Sequence, residues 1–168
     1  MLRREGKIDS EYTYEDDSGK YTLLLTKGVK SIFAYCKKED TITKLIWRLK
    51  DFAVDDVTSK NEITFIKNLT NITDIDGDGY VEPILVYSFE KNHSYDEGSV
   101  KIIIRYRNKK IAIRHKNAIL ETERKTQIDE DFHNLPISVK IKVKQIMLEL
   151  TENNYAVFSA EVLESIDS

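Results

Sequence analysis

The chain has 168 residues, 40% of them hydrophobic and 33% charged, with a formal net charge of −3. That composition fits one globular domain and excludes a disordered chain, and no apolar run approaches the roughly 20 residues of a membrane helix. The charge is segregated: residues 99–144 carry 12 basic and 5 acidic side chains, and residues 145–168 carry 5 acidic and none basic. The single cysteine, Cys36, lies in the apolar stretch Ile32-Phe33-Ala34-Tyr35-Cys36 and reads as a buried structural thiol, with no intrachain disulfide open to it.

The start, Met1-Leu2-Arg3-Arg4-Glu5-Gly6, lacks the apolar centre of a signal peptide. The chain is expected either to stay inside the cell or to be a mature form whose export signal has been removed. Residues 1–19 are polar, with the acidic cluster Glu15-Asp16-Asp17, and read as a flexible, loosely attached lead or a first short strand. Residues 20–168 read as the folded domain.

Tyr21–Thr26 is β-prone, Lys27-Gly28-Val29-Lys30 breaks it, and Ser31–Lys37 follows as its hairpin partner. In Thr41–Phe52, Leu45, Trp47 and Leu49 alternate with Lys44, Arg48 and Lys50, the period of a half-buried strand with Trp47 on the core side. Asp55-Asp56 ends it, and Glu62–Lys67 is the next strand. Glu82–Glu90 is another. Val100, Ile102, Ile104 and Tyr106 alternate with Lys101, Arg105 and Arg107, the turn Arg107-Asn108-Lys109-Lys110 follows, and Ile111–His115 pairs back.

After Pro136 the pattern changes. Leu135, Val139, Val143, Ile146, Met147 and Leu150 recur at helical spacing until Asn153-Asn154. Ile137, Val139, Ile141 and Val143 also alternate as a strand would, but the apolar stripe continues through Leu150, which favours the helix. Tyr155–Ile166 is left as a closing strand or a second short helix. The expected fold is α+β: a mainly antiparallel sheet of hairpins and meanders with one C-terminal helix.

The stretch that carries chemistry is Asp74-Ile75-Asp76-Gly77-Asp78-Gly79-Tyr80-Val81-Glu82. Its acids fall at positions 1, 3, 5 and 9, with glycine at 6. Calcium takes six to eight oxygen ligands at roughly 2.3–2.6 Å, and alternating carboxylates on a tight loop can converge to supply them. The expected ligands are Asp74, Asp76, Asp78, the carbonyl of Tyr80, and Glu82, with Ca2+ as the cation. An EF-hand needs glutamate at position 12; here that residue is Leu85, inside an expected strand. The pattern is instead that of strand-flanked D-x-D-x-D-G-x-x-D loops of the integrin type, with glutamate closing it. The plain alternative is a turn built on Asp-Gly, but a turn needs that pair once, not four spaced acids.

Ile72–Glu82, followed by Ile84-Leu85-Val86-Tyr87, Lys101-Ile102-Ile103-Ile104 and Lys109-Lys110-Ile111-Ala112-Ile113-Arg114, resembles a family of small exported proteins of Bacteroidetes-type bacteria labelled as surface polysaccharide biosynthesis proteins. The resemblance covers about residues 43–116. It implies a periplasmic, cell-surface or lipoprotein-like location, with a cytoplasmic location as the alternative, and carries no catalytic residues with it.

Lys101, Arg105, Lys110 and Arg114 are expected to share the polar face of two neighbouring strands, where they would meet an anionic glycan or be paired with local acids. Aromatic residues do not interleave with them, which disfavours nucleic acid. His93, His115 and His133 have no ligand spacing, and no P-loop, Rossmann or G-x-S-x-G motif occurs. Asn68, Asn71 and Asn92 head N-glycosylation sequons that would be idle in a bacterial chain. The leading expectation is therefore a non-catalytic binding or structural module whose partner is a surface glycan or an envelope protein. The alternatives are a metal-dependent hydrolase of glycans or phosphoesters, and an inhibitor or immunity-type protein.

Overall fold

Strand-prone segments separated by short polar turns dominate the first 130 residues, and they form hairpins in sequence order. A computed structural model describes residues 5–168. Strands β1 (Lys7–Asp16), β2 (Gly19–Lys27), β3 (Ser31–Glu39) and β4 (Lys44–Phe52) make one antiparallel meander in the order β1-β2-β3-β4. Strands β5 (Asn61–Phe65), β6 (Asn71–Thr73), β7 (Glu82–Lys91), β8 (Ser94–Tyr106), β9 (Lys109–Lys116) and β10 (Lys125–Ile128) make the second sheet, ordered β10-β9-β8-β7-β5, with β6 also paired to β7. Helix α1 (Ile137–Glu152) and the short α2 (Ala160–Ser165) complete an α+β fold.

The turns explain the tight hairpins. Asn92-His93 and Arg107-Asn108 all have positive φ, the two-residue geometry that matches strand twist. Asn tolerates this conformation better than most non-glycine residues. The lead segment divides: Met1–Arg4 lie outside the described residues, and Lys7–Asp16 is hydrogen-bonded to β2 along its length, a ten-residue edge strand rather than a loose tail.

The second sheet is covered on both faces. Ile84, Val86, Val100, Ile102, Ile104, Ile111 and Ile113 pack against Val139, Val143, Ile146, Met147 and Leu150 of α1. Leu85, Tyr87, Ile103 and Ala112 point the other way and meet Leu23, Leu25, Ile32, Ala34 and Cys36 of the first sheet. The uninterrupted apolar runs Ile84–Tyr87 and Ile102–Ile104 are what double burial requires. Each fully buried aliphatic side chain of this kind contributes roughly 1.5–3 kcal/mol. The architecture is thus three layers: sheet, sheet, helix.

The helix over 137–152 is the one the apolar stripe favours, with Pro136 just before its first turn and Asn154 at φ 62° just beyond its end. Of the two forms left open for Tyr155–Ile166, the segment takes the short helix, capped by the Ser159 hydroxyl accepting from the Val162 N–H.

One alternation fails. Trp47 pairs with Cys36 but Leu45 pairs with Lys37, so Ile46 is a bulge. Trp47 and Leu49 accordingly face the core between the sheets, whereas Leu45 joins Leu24, Phe33 and Tyr35 on the outer face.

Candidate metal-binding loop and adjoining cleft

Strand β6 delivers Asp74 and strand β7 begins at Glu82, so the two pinned ends of the loop are neighbours in the sheet, with Thr73 opposite Glu82. Between them the chain folds on its own carboxylates. Asp74 Oδ1 accepts from the N–H groups of Gly77 (2.7 Å) and Asp78 (3.2 Å), and its Oδ2 accepts from the Gly79 N–H at 2.9 Å. Asp76 Oδ1 accepts from the Asp78 N–H at 3.1 Å, and Asp78 Oδ1 from the Tyr80 N–H at 3.0 Å. Gly77 and Gly79 both have positive φ, which lets the loop curl tightly enough for these bonds.

This curl brings Asp74, Asp76, Asp78 and Glu82 together, with a carboxylate oxygen of each within 4.8 Å of the others. The four carboxylates singled out from the sequence are therefore in one place. Tyr80 follows in the same loop, half exposed, and lines the adjoining cleft.

Glu82 is the unusual member. It is 1% exposed, and its hydrogen bond comes from the Ile75 N–H at 2.6 Å. Burial pushes its pKa up to about 7, and the charges of Asp76, Asp78 and Asp74 add to the shift. Burying an acid beside three others is costly unless a proton or a cation neutralises it. The donor set is all oxygen, which suits a hard cation such as calcium. Arg107 moderates the outer rim: its Nη2 lies 2.6 Å from Asp78 Oδ2 and holds that carboxyl below the usual carboxylate range. The Tyr106 hydroxyl donates to Asp76 Oδ2 at 3.1 Å.

The β1–β2 turn also grips the loop. The Asp17 N–H donates to the Gly79 carbonyl at 2.9 Å, and the Val81 N–H donates to Asp16 Oδ2 at 3.1 Å. Neither contact had a signal in the sequence, because Asp16 and Val81 lie 65 residues apart.

Beside the loop, at one end of the sheet-on-sheet interface, is a cleft of about 470 Å³. Tyr14, Tyr21, Trp47 and Tyr80 form much of its wall, and Arg105 and Arg107 also line it. Tyr80, Val81 and Pro83 belong to both loop and cleft, but the four clustered acids do not line it. Trp47 was read as core from its spacing; the cleft assembled around it was not legible, because its residues come from separate strands and turns.

The four basic residues singled out from the sequence do share one face. Lys101 is directly opposite Arg114, and Arg105 opposite Lys110. That face is turned toward the first sheet. Lys101 is 2.6 Å from Asp51 Oδ2, Arg114 is 2.8 Å from Asp129 Oδ1, and Arg105 stacks its guanidinium 4.8 Å from the Trp47 ring centroid. Lys110 is the exposed one of the four. Asp129 also serves the fold: its Oδ2 accepts from the Ala112 N–H at 2.9 Å, continuing the sheet edge past β10. Among the described residues, no helix is long and apolar enough to cross a membrane. Comparison of the chain with protein-family models, with curated proteins and with solved structures finds no match.

Proposed function

We propose that the chain is a non-catalytic binding module of the cell envelope whose loop at residues 74–82 is rigidified by Ca2+. Asp74, Asp76, Asp78 and Glu82, with the Tyr80 carbonyl, would hold the ion, and the ion would supply charge neutralisation and a fixed loop. The observation that carries this reading is the convergence of four carboxylates, one of them the buried Glu82. The position of the acids behind the cleft rather than in its wall supports a structural ion over a catalytic one, which needs an open coordination position facing substrate. The envelope location rests on the resemblance of residues 43–116 to exported surface-polysaccharide proteins, and a surface glycan or envelope protein is the corresponding partner.

Calorimetric titration with calcium, paired with melting curves in calcium and in chelator, tests the metal. The expected outcome is saturable heat and a higher melting temperature in calcium. No heat and an unchanged melting temperature at millimolar calcium would remove the ion from this account.

A further inference from the structure

We propose that the cleft between Trp47, Tyr14, Tyr21 and Tyr80 binds a hydroxylated ring that carries one carboxylate, a sugar acid in chemical class, with Arg105 as the group that reads the carboxylate. This deepens the binding-module reading by naming a ligand, and it holds whether or not the loop carries a cation.

Arg105 is the reason. It is half-buried at the end of β8, and among the described residues no carboxylate lies within 4.0 Å of it, in contrast to Lys101, Arg107 and Arg114, which each have an acidic partner. Its Nε is buried without a hydrogen-bond partner, and Nη2 reaches only the Asn108 carbonyl, at 3.4 Å. A planar fork of five donors is thus held in place by stacking on Trp47, with its hydrogen-bonding capacity largely unspent. Such a preorganised fork matches a carboxylate in two parallel bonds.

The rest of the cleft selects the body and the charge of the ligand. The rings of Tyr14 and Tyr21 stack at 5.0 Å, and with Trp47 and Tyr80 they offer flat apolar faces on which the C–H face of a sugar ring can lie. Asp16, Ser18 and Asn108 line the same space and can bond ring hydroxyls. Asp16 within the cleft and the acidic loop behind its wall also disfavour a dianion such as phosphate, whereas one carboxylate is balanced by Arg105.

Trp47 is the chain's single tryptophan, so its fluorescence reports on the cleft directly. The test titrates the intact protein with D-glucuronate, with neutral glucuronamide and with inorganic phosphate, once in chelator and once in millimolar calcium. The expected result is a saturable fluorescence change with glucuronate in both conditions, weakened about tenfold or more for glucuronamide and for phosphate. Arg105→Met, checked for folding by its melting curve, is expected to abolish the preference for glucuronate over glucuronamide. No saturable change with glucuronate, equal affinity for glucuronamide, tighter binding of phosphate, or an unchanged preference in a folded Arg105→Met variant would each overturn the proposal. Because the chelator arm needs no ion, failure of the calcium reading leaves this result readable on its own.

Discussion

Arg107 lies across Asp78, with Nη2 at 2.6 Å and Nε at 3.2 Å from the same carboxylate oxygen, so the β8–β9 turn holds down the acidic loop between β6 and β7. The contact works against a bound cation, since a guanidinium occupies an oxygen that a metal would use and adds like charge beside it. Arg107→Gln is expected to tighten calcium binding by about three- to tenfold at low salt, with the gain shrinking as salt rises. Isothermal titration of both proteins at two ionic strengths checks it. Equal or weaker binding by the variant would show that Arg107 organises the site more than it opposes it.

Glu82 makes the stability of the metal-free protein depend on pH in a defined direction. Its pKa is raised from 4.5 to about 7 on folding, so between those values the folded state holds more protons than the unfolded one. Stability is therefore highest below the unfolded value and falls as pH rises toward 7, by on the order of 2–3 kcal/mol. Calcium needs the carboxylate, so its affinity should rise with pH over the same window and level off above it. Glu82→Gln should flatten the metal-free profile, because the amide oxygen can still accept from the Ile75 N–H. Urea titrations in chelator between pH 5 and pH 8 measure this, and a wild-type profile without a fall would contradict the assigned role of Glu82.

The two loop glycines differ in what surrounds them. A Cβ on Gly79 would sit 2.2 Å from Asp17 Oδ2, at φ +93°, while a Cβ on Gly77 would meet nothing within 4 Å, at φ +75°. Gly77→Ala should cost about 1 kcal/mol, the price of a left-handed conformation alone. Gly79→Ala adds a close contact with the exposed Asp17 carboxylate, which must rotate away, and should cost about 1–2 kcal/mol. The two variants are compared by melting temperature in chelator. An equal loss would mean that the Asp17 side chain turns clear of the added methyl at no cost.

The acidic cluster was legible from the sequence because its four carboxylates fall within nine consecutive residues, Asp74 to Glu82, and local spacing alone brings them together. The helix was legible for a similar reason, since Val139 to Leu150 is one uninterrupted stripe. The bulge at Ile46 was not, because it shows only in the pairing of β4 with β3, and it moves Leu45 to the opposite face. The alternation in β8 was half the truth. Val100, Ile102 and Ile104 do face one core, but Ile103 faces a second, so the basic residues beside it lie against a sheet instead of in open solvent. Arg105 gains its unpaired, ring-stacked environment only because Trp47, 58 positions earlier, arrives from another sheet, and no local pattern encodes that meeting.

The C-terminal segment is tied to the sheet by one buried amide. Asn117 is 5% exposed; its Nδ2 donates to the carbonyls of Tyr95 (2.9 Å) and Tyr155 (2.8 Å), and its Oδ1 accepts from the Val157 N–H at 3.2 Å. The same oxygen lies 3.0 Å from His115 Nε2, whose other ring nitrogen is 2.8 Å from the Thr126 hydroxyl. Burial lowers the pKa of His115, so the neutral ring is favoured; Nε2 then donates to Asn117 and Nδ1 accepts from Thr126. Asn117→Ala would strand two carbonyls, an N–H and the imidazole at once, and should destabilise by about 2–4 kcal/mol. Asn117→Asp should be no better, because a carboxylate cannot donate to Tyr95 and Tyr155 and repels both carbonyls. The exposed Asn68→Ala serves as the reference, expected within about 0.5 kcal/mol of wild type. Urea unfolding of the three variants, with hydrogen exchange at Val157, distinguishes a local staple from a passive contact: fast exchange at Val157 with a large loss of stability is the expected pair. A loss at Asn117 no greater than that at Asn68 would mean that the helix α1 stripe, and not this amide, holds the segment in place.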